Sequence, residues 1–209
     1  MSSGAGPEHR LERLIFFSDA VFAIAITLLV IELHVPHVEA GASDIAFINA
    51  LLRMIPNFMG FIVSFFVIGA FWAGHHRAFS CAAHWSDGLM GPNILMLFTI
   101  AAMPFFTAYA SAYNGERVPT VAYCSWLFFT ALCNLRLQRL ATAVPVVDAA
   151  IPAARLMAVR QRGLSTVFGA LTGLVLALFA PYPILGQVAL MTIPLWRVAL
   201  GRLGAQKTA

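Results

Sequence analysis

A chain of 209 residues with 60% hydrophobic and 11% charged side chains departs far from a water-soluble domain, where about 45–50% and about 25% are usual. The composition predicts an all-α integral membrane protein, and the net charge of +4 is assigned to membrane-flanking loops, with no nucleic acid as partner. Three cysteines, Cys81, Cys124 and Cys133, form no CxxC pair and cannot close into a complete disulfide set, so they read as small bundle residues.

The polar start of the chain is followed by no A-x-A-like cleavage site, so the first hydrophobic run is expected to stay in place. That run, Arg13 to Leu33, is long enough to cross a bilayer, because about 20 apolar residues at about 1.5 Å rise span about 30 Å. It nevertheless carries Ser18, Asp19 and Thr27. A charge at membrane depth costs at least about 2.5–3.5 kcal/mol, so Asp19 needs a partner. At about 100° per residue, Phe17, Ala20, Ile24, Thr27, Leu28 and Ile31 fall on one stripe, while Ser18 and Asp19 lie on another flank. The stripe suits lipid, a bundle core or a pore. Arg13 lies near the same angle, as a snorkelling anchor or a residue of an entrance.

Residues 34–44, with Pro36 and Gly41, read as the first extramembrane turn. A long second hydrophobic segment runs from Ile45 to about Arg77, with Pro56 tolerable near its start. After a polar bridge from His84 to Asp87, a third span covers about 89–112, with a kink expected at Pro104. A fourth covers about 119–138, and residues 140–160, broken by Pro145 and Pro152, read as a short interfacial linker. The fifth and sixth spans are placed at about 163–180 and 184–200. Six spans put both termini on one side, and eleven of the thirteen Lys and Arg residues, Arg10 to Lys207, then face the cytoplasm. Only Arg53 and Arg117 do not, which agrees with the bias of basic residues to the inside. Residues 1–209 thus read as a single six-helix transmembrane domain. Because no second copy of the first helix occurs, a pore lined by it requires several chains around an axis.

Trp72, His75 and His76 share one face at the cytoplasmic end of the second span, level with Ser18 and Asp19, and Arg77 follows them. An indole or imidazole N–H could satisfy the Ser18–Asp19 patch; pH sensing and metal binding are the rival roles. Metal binding wants three or four ligands at defined spacing, which HHR beside one distant Asp does not offer. Asn93 and Thr107 read as interhelical hydrogen-bonding groups. No GxGD, HExxH, Gly-rich phosphate loop or TVGYG-type filter is present, which argues against an enzyme and an ordinary potassium-channel filter.

The spacing Arg13-x-x-x-Phe17-Ser18-Asp19 resembles the signature of the endosomal and lysosomal potassium-channel family, in particular its prokaryotic single-repeat members. Trp72-x-x-His75-His76-Arg77, Asn93 and Pro104-Phe105-x-Thr107 extend the resemblance. It implies a homotetramer of six-helix subunits in the bacterial inner membrane, with the first helix lining a central pore for monovalent cations. Ile24 would correspond to the hydrophobic constriction and Thr27 to the hydroxyl layer above it, with Leu28 and Ile31 further along. Arg13, Phe17, Ser18, Asp19, Trp72, His75 and Asn93 would form the supporting motif, and potassium is the permeant species, with no cofactor. The alternative is a proton channel or proton-coupled transporter that uses Asp19 and His75 as relay groups.

Overall fold

The computed structural model describes residues 7–206, so Lys207 of the basic count lies outside the described residues. Its helices are α1 (Pro7–Ile31), α2 (Asp44–Arg53), α3 (Ile55–Phe79), α4 (Met90–Ala101), α5 (Met103–Ala112), α6 (Arg117–Ala141), α7 (Ala153–Phe179), α8 (Leu185–Val188) and α9 (Ile193–Gln206). Among the described residues five stretches are long and apolar enough to cross a membrane, and Leu185–Gly201 forms a shorter apolar one. The protein is an all-helical, multi-pass membrane protein.

Prolines set most of the breaks. The segment from Ile45 to Arg77 is not one helix: it divides at Met54, and Pro56 sits in the first turn of α3. Pro56 has no N–H for the carbonyl of Leu52, and its ring would collide there, so continuous helix is lost one turn earlier. Gly41, with φ of +84°, turns the chain ahead of α2 in a conformation that costs a side chain dearly. The third span is interrupted at Ala102, between α4 and α5, for the same reason at Pro104. Trp126 donates its indole N–H to the carbonyl of Thr99 beside that break, at 2.9 Å.

The fifth helix starts at Ala153, ten residues before the position read from sequence. Two arginines of this stretch are tied down: Arg160 bonds the carbonyl of Thr142 at 2.6 Å, and Arg155 bonds Ser80 at 3.1 Å. Only 142–152 remains irregular, and it is pinned rather than loose. Asp148 N donates to Cys81 O, and Ala83 N to Val146 O, each at 2.9 Å, with Val146 buried. No continuous helix covers 184–200. A four-residue α8 and a 3-10 turn, Ala189–Thr192, precede α9, where Pro194 withholds its N–H from Leu190.

Around these breaks the bundle is simply wired. α1 packs on α3, α4 and α5; α6 packs on α3, α4, α5 and α7; and α7 carries α8 and α9. Small residues on α7 let the chain approach closely: a Cβ on Gly173 would lie 2.7 Å from the carbonyl oxygen of Gly186. Arg117 at the start of α6 caps the end of α7 by donating to the carbonyls of Ala177, Leu178 and Ala180.

Candidate functional site

The inner flank of α1 is fixed by consecutive polar residues. Ser18 and Asp19 point about 100° apart, so one enters the bundle while the other lies beside α3. Ser18 Oγ donates to Leu14 O at 2.7 Å and accepts from Asn93 Nδ2 at 3.0 Å. Asn93 Oδ1 in turn accepts from His75 Nε2 at 2.9 Å. Because an amide oxygen only accepts, His75 carries its proton on Nε2 in this arrangement. All three side chains are buried. The imidazole stacks on Phe79 with ring centres 4.4 Å apart and meets the edge of Phe22, while its Nδ1 has no protein partner.

Asp19 belongs to a separate, half-exposed link. Trp72 Nε1 donates to Asp19 Oδ1 at 2.9 Å, and the indole stacks on His76. The structure thus brings Asp19 to Trp72 and Ser18 to His75 through Asn93, and no hydrogen bond joins Asp19 to His75. Among the described residues no group of three or more His, Cys, Asp or Glu could hold a metal ion.

The opposite face of α1 is left largely uncovered by its own chain. Arg13, Phe17, Ala20, Ile24, Thr27, Leu28 and Ile31 are all exposed, with Ile24 at 57% and Ile31 at 66%. Phe22, Ala25 and Leu29, which face the bundle, are each at 1%. The stripe is therefore not the core of this subunit. Thr27 Oγ1 donates to Ile24 O at 2.8 Å, which commits its proton to the backbone and leaves an oxygen lone pair directed away from the helix.

Two polar groupings escape the sequence pattern. Thr107 donates to Ser64 at 2.7 Å, and Ser64 meets the Tyr123 hydroxyl at 3.2 Å, joining α5, α3 and α6 in the core. Thr107 is readable as an interhelical group; Ser64 and Tyr123 carry no spacing signal. The second is a cavity between α3, α6, α7 and α9, lined by Arg77, Asn134, Gln138, Arg162 and Arg197.

The family model described as endosomal/lysosomal potassium channel TMEM175 matches residues 13–104, which contain α1, the tryptophan–histidine turn and Asn93. A relative named as a potassium channel, from Streptomyces collinus, is 41% identical over 100 residues, covering 48% of this chain and 47% of the relative. The crystal structure of a lysosomal potassium-selective channel TMEM175 homolog from Chamaesiphon minutus is similar with a TM-score of 0.76 and 26% identity, covering 91% of this chain and 97% of that one. Over residues 13–104 the chain is similar to the TMEM175 family, which is a family of ion channels and not of enzymes. A relative from Gallus gallus, named endosomal/lysosomal proton channel TMEM175, is 34% identical over 131 residues, 58% of this chain and 26% of that protein. The matched stretch spans about half or less of these two curated relatives.

Proposed function

We propose that this chain is a TMEM175-type, potassium-permeable cation channel whose pore runs on the axis of a homotetramer, lined by four copies of α1. The observation that carries the reading is the division of α1: a polar flank bonded to α3 and α4, and an apolar stripe with one hydroxyl that its own chain leaves uncovered. The family match over residues 13–104 and the extent of the structural likeness support it. In this reading residues 1–209 form one channel domain, the segment around Leu185–Gly201 supplies a sixth crossing, and both termini face the cytoplasm of a bacterial inner membrane.

Ile24 forms the constriction and Thr27 the hydroxyl layer about one turn beyond it, with Leu28 and Ile31 toward the outer mouth. Isoleucine offers an ion no oxygens, so passage depends on water carried through or on a widening of the ring, and closure by dewetting is available. Sodium, which holds water more tightly, is disfavoured. Arg13 stands at the cytoplasmic entrance. Phe17, Ser18, Asp19, Trp72, His75 and Asn93 hold α1 in register and do not touch the ion.

The experiment is reversal potential under mixed potassium and sodium gradients for purified protein in bilayers. Ile24→Asn, which stabilises water in the ring, is expected to lose potassium preference, and Ile31→Asn to change it less. An unchanged potential for Ile24→Asn returns the stripe to lipid-facing surface. The name of the Gallus gallus relative favours a second reading, proton conduction through Asp19 and His75. It requires proton flux, followed with an entrapped pH dye, that Asp19→Asn and His75→Ala abolish while the assembled protein persists.

A further inference from the structure

The cavity between α3, α6, α7 and α9 lies away from α1 and has a volume of about 310 Å³. Its polar end gathers three arginines, Arg77, Arg162 and Arg197. Like charges around one space repel. Arg117, Arg155 and Arg160 are bonded to the end of α7, to Ser80 and to Thr142. Arg77, Arg162 and Arg197 are not: the one ion pair among the described residues is His9–Glu12.

The neutral groups beside them are donors too. The point where a Cβ on Gly74 would sit is 3.0 Å from Gln138 Nε2, 3.8 Å from Asn134 Nδ2 and 4.0 Å from Arg77 Nη2. Three N–H-bearing groups from two helices therefore converge on a spot kept open by a glycine. Asn134 and Gln138 are only 2% and 3% exposed, and Asn134 Oδ1 and Gln138 Oε1 are acceptors without a donor, so no bond through these oxygens fixes the amides in the wall. The half-buried Arg77 and Arg162 and the exposed Arg197 carry positive charge with no anionic partner among the described residues, which suits an acceptor with several oxygens and negative charge. The rest of the wall is apolar, from Phe71, Leu127 and Leu190.

We propose that this cavity is a binding site for a phosphate-bearing anion, with Arg77, Arg162 and Arg197 supplying charge and Asn134 and Gln138 supplying fixed N–H donors at Gly74. Guanidinium pairs match phosphate oxygens in geometry as well as charge. The phosphate could belong to a lipid whose acyl chains follow the apolar wall, in the manner of basic pockets between membrane helices, or to a free phosphate. The site is independent of the pore reading, because no residue of α1 lines it.

The test uses the full chain in uncharged maltoside micelles at fixed ionic strength and follows the unfolding midpoint against added probe, since a ligand of the folded state raises it. The probes are dioctanoyl phosphatidic acid, inorganic phosphate and, as control, dioctanoyl phosphatidylcholine. A midpoint that rises with phosphatidic acid but not phosphatidylcholine is expected. Arg162→Ala and Arg197→Ala should need about tenfold more probe for the same shift, as loss of a charged hydrogen bond implies. Gly74→Ala, which keeps every charge but fills the point of convergence, should weaken binding similarly and covers the case of an arginine variant that does not fold. Arg139→Ala, exposed and off the cavity, should match the parent. A variant-sensitive shift with inorganic phosphate assigns the site to the free ion, and a shift with phosphatidic acid alone assigns it to a headgroup. No shift with either probe, or a shift that the Gly74 and arginine variants leave as large as in the parent, overturns the proposal.

Discussion

One turn of α3 serves two polar clusters of opposite character. His75 faces α1 and α4, where Asn93 bonds both it and Ser18 and all three side chains are buried, with His75 Nδ1 the one atom of the set left without a partner. Gly74 and Arg77 face α6 and α7, where donors and positive charges gather around open space. A bonded network fixes the position of a helix, because its groups lose partners if the helix shifts. An open set of donors adds little to the bundle by itself and awaits a ligand. The first suits the support of a pore helix; the second suits recognition.

The sharpest break of this contrast is Asn93→Ala. It strips partners from Ser18 and from His75 at once, and each buried group left unpaired costs about 1–3 kcal/mol. A marked drop in unfolding midpoint and in the yield of assembled protein is expected, read by thermal unfolding and size-exclusion chromatography. Asp19→Ala should cost less, about 1 kcal/mol, because the Trp72–Asp19 bond lies in a half-exposed position. Ion preference in the assembled fraction should hold, since Asp19 is off the exposed stripe. Arg162→Ala should do least, within about 0.5 kcal/mol and toward greater stability when no phosphate is present, because it relieves repulsion. A loss of midpoint as large as that of Asn93→Ala would show that the second cluster is as tightly bonded as the first.

The first cluster is largely legible in the sequence and the second is not. A carboxylate, a hydroxyl and an imidazole in apolar runs demand partners, so Ser18, Asp19, Trp72 and His75 stand out from residue type and spacing alone. What the spacing does not tell is that Asn93, from a different span, is the link between His75 and Ser18. The cavity is hidden because Asn134 and Gln138 share one helix while Arg77, Arg162 and Arg197 come from three others, and the arginines read equally well as loop charges that orient the chain. Helix ends show the same limit. Pro104 marks its break, yet Pro56 interrupts a run that hydrophobicity alone joins, and Pro145 and Pro152 make the first turns of α7 read as part of a linker.

The central claim is that the exposed stripe of α1 lines a pore. Because Cys81, Cys124 and Cys133 are all buried, the parent should respond weakly to thiol reagents and single cysteines can be introduced on that background. Ile24→Cys lies on the stripe, whereas Val30→Cys, exposed at 54%, is turned about 120° away on the same helix. The measurement is potassium flux from proteoliposomes before and after silver ion, which is close in size to the permeant ion and binds thiolate. The account predicts that silver blocks Ile24→Cys and leaves the parent and Val30→Cys conducting; flux through Ile24→Cys that silver does not touch would contradict it.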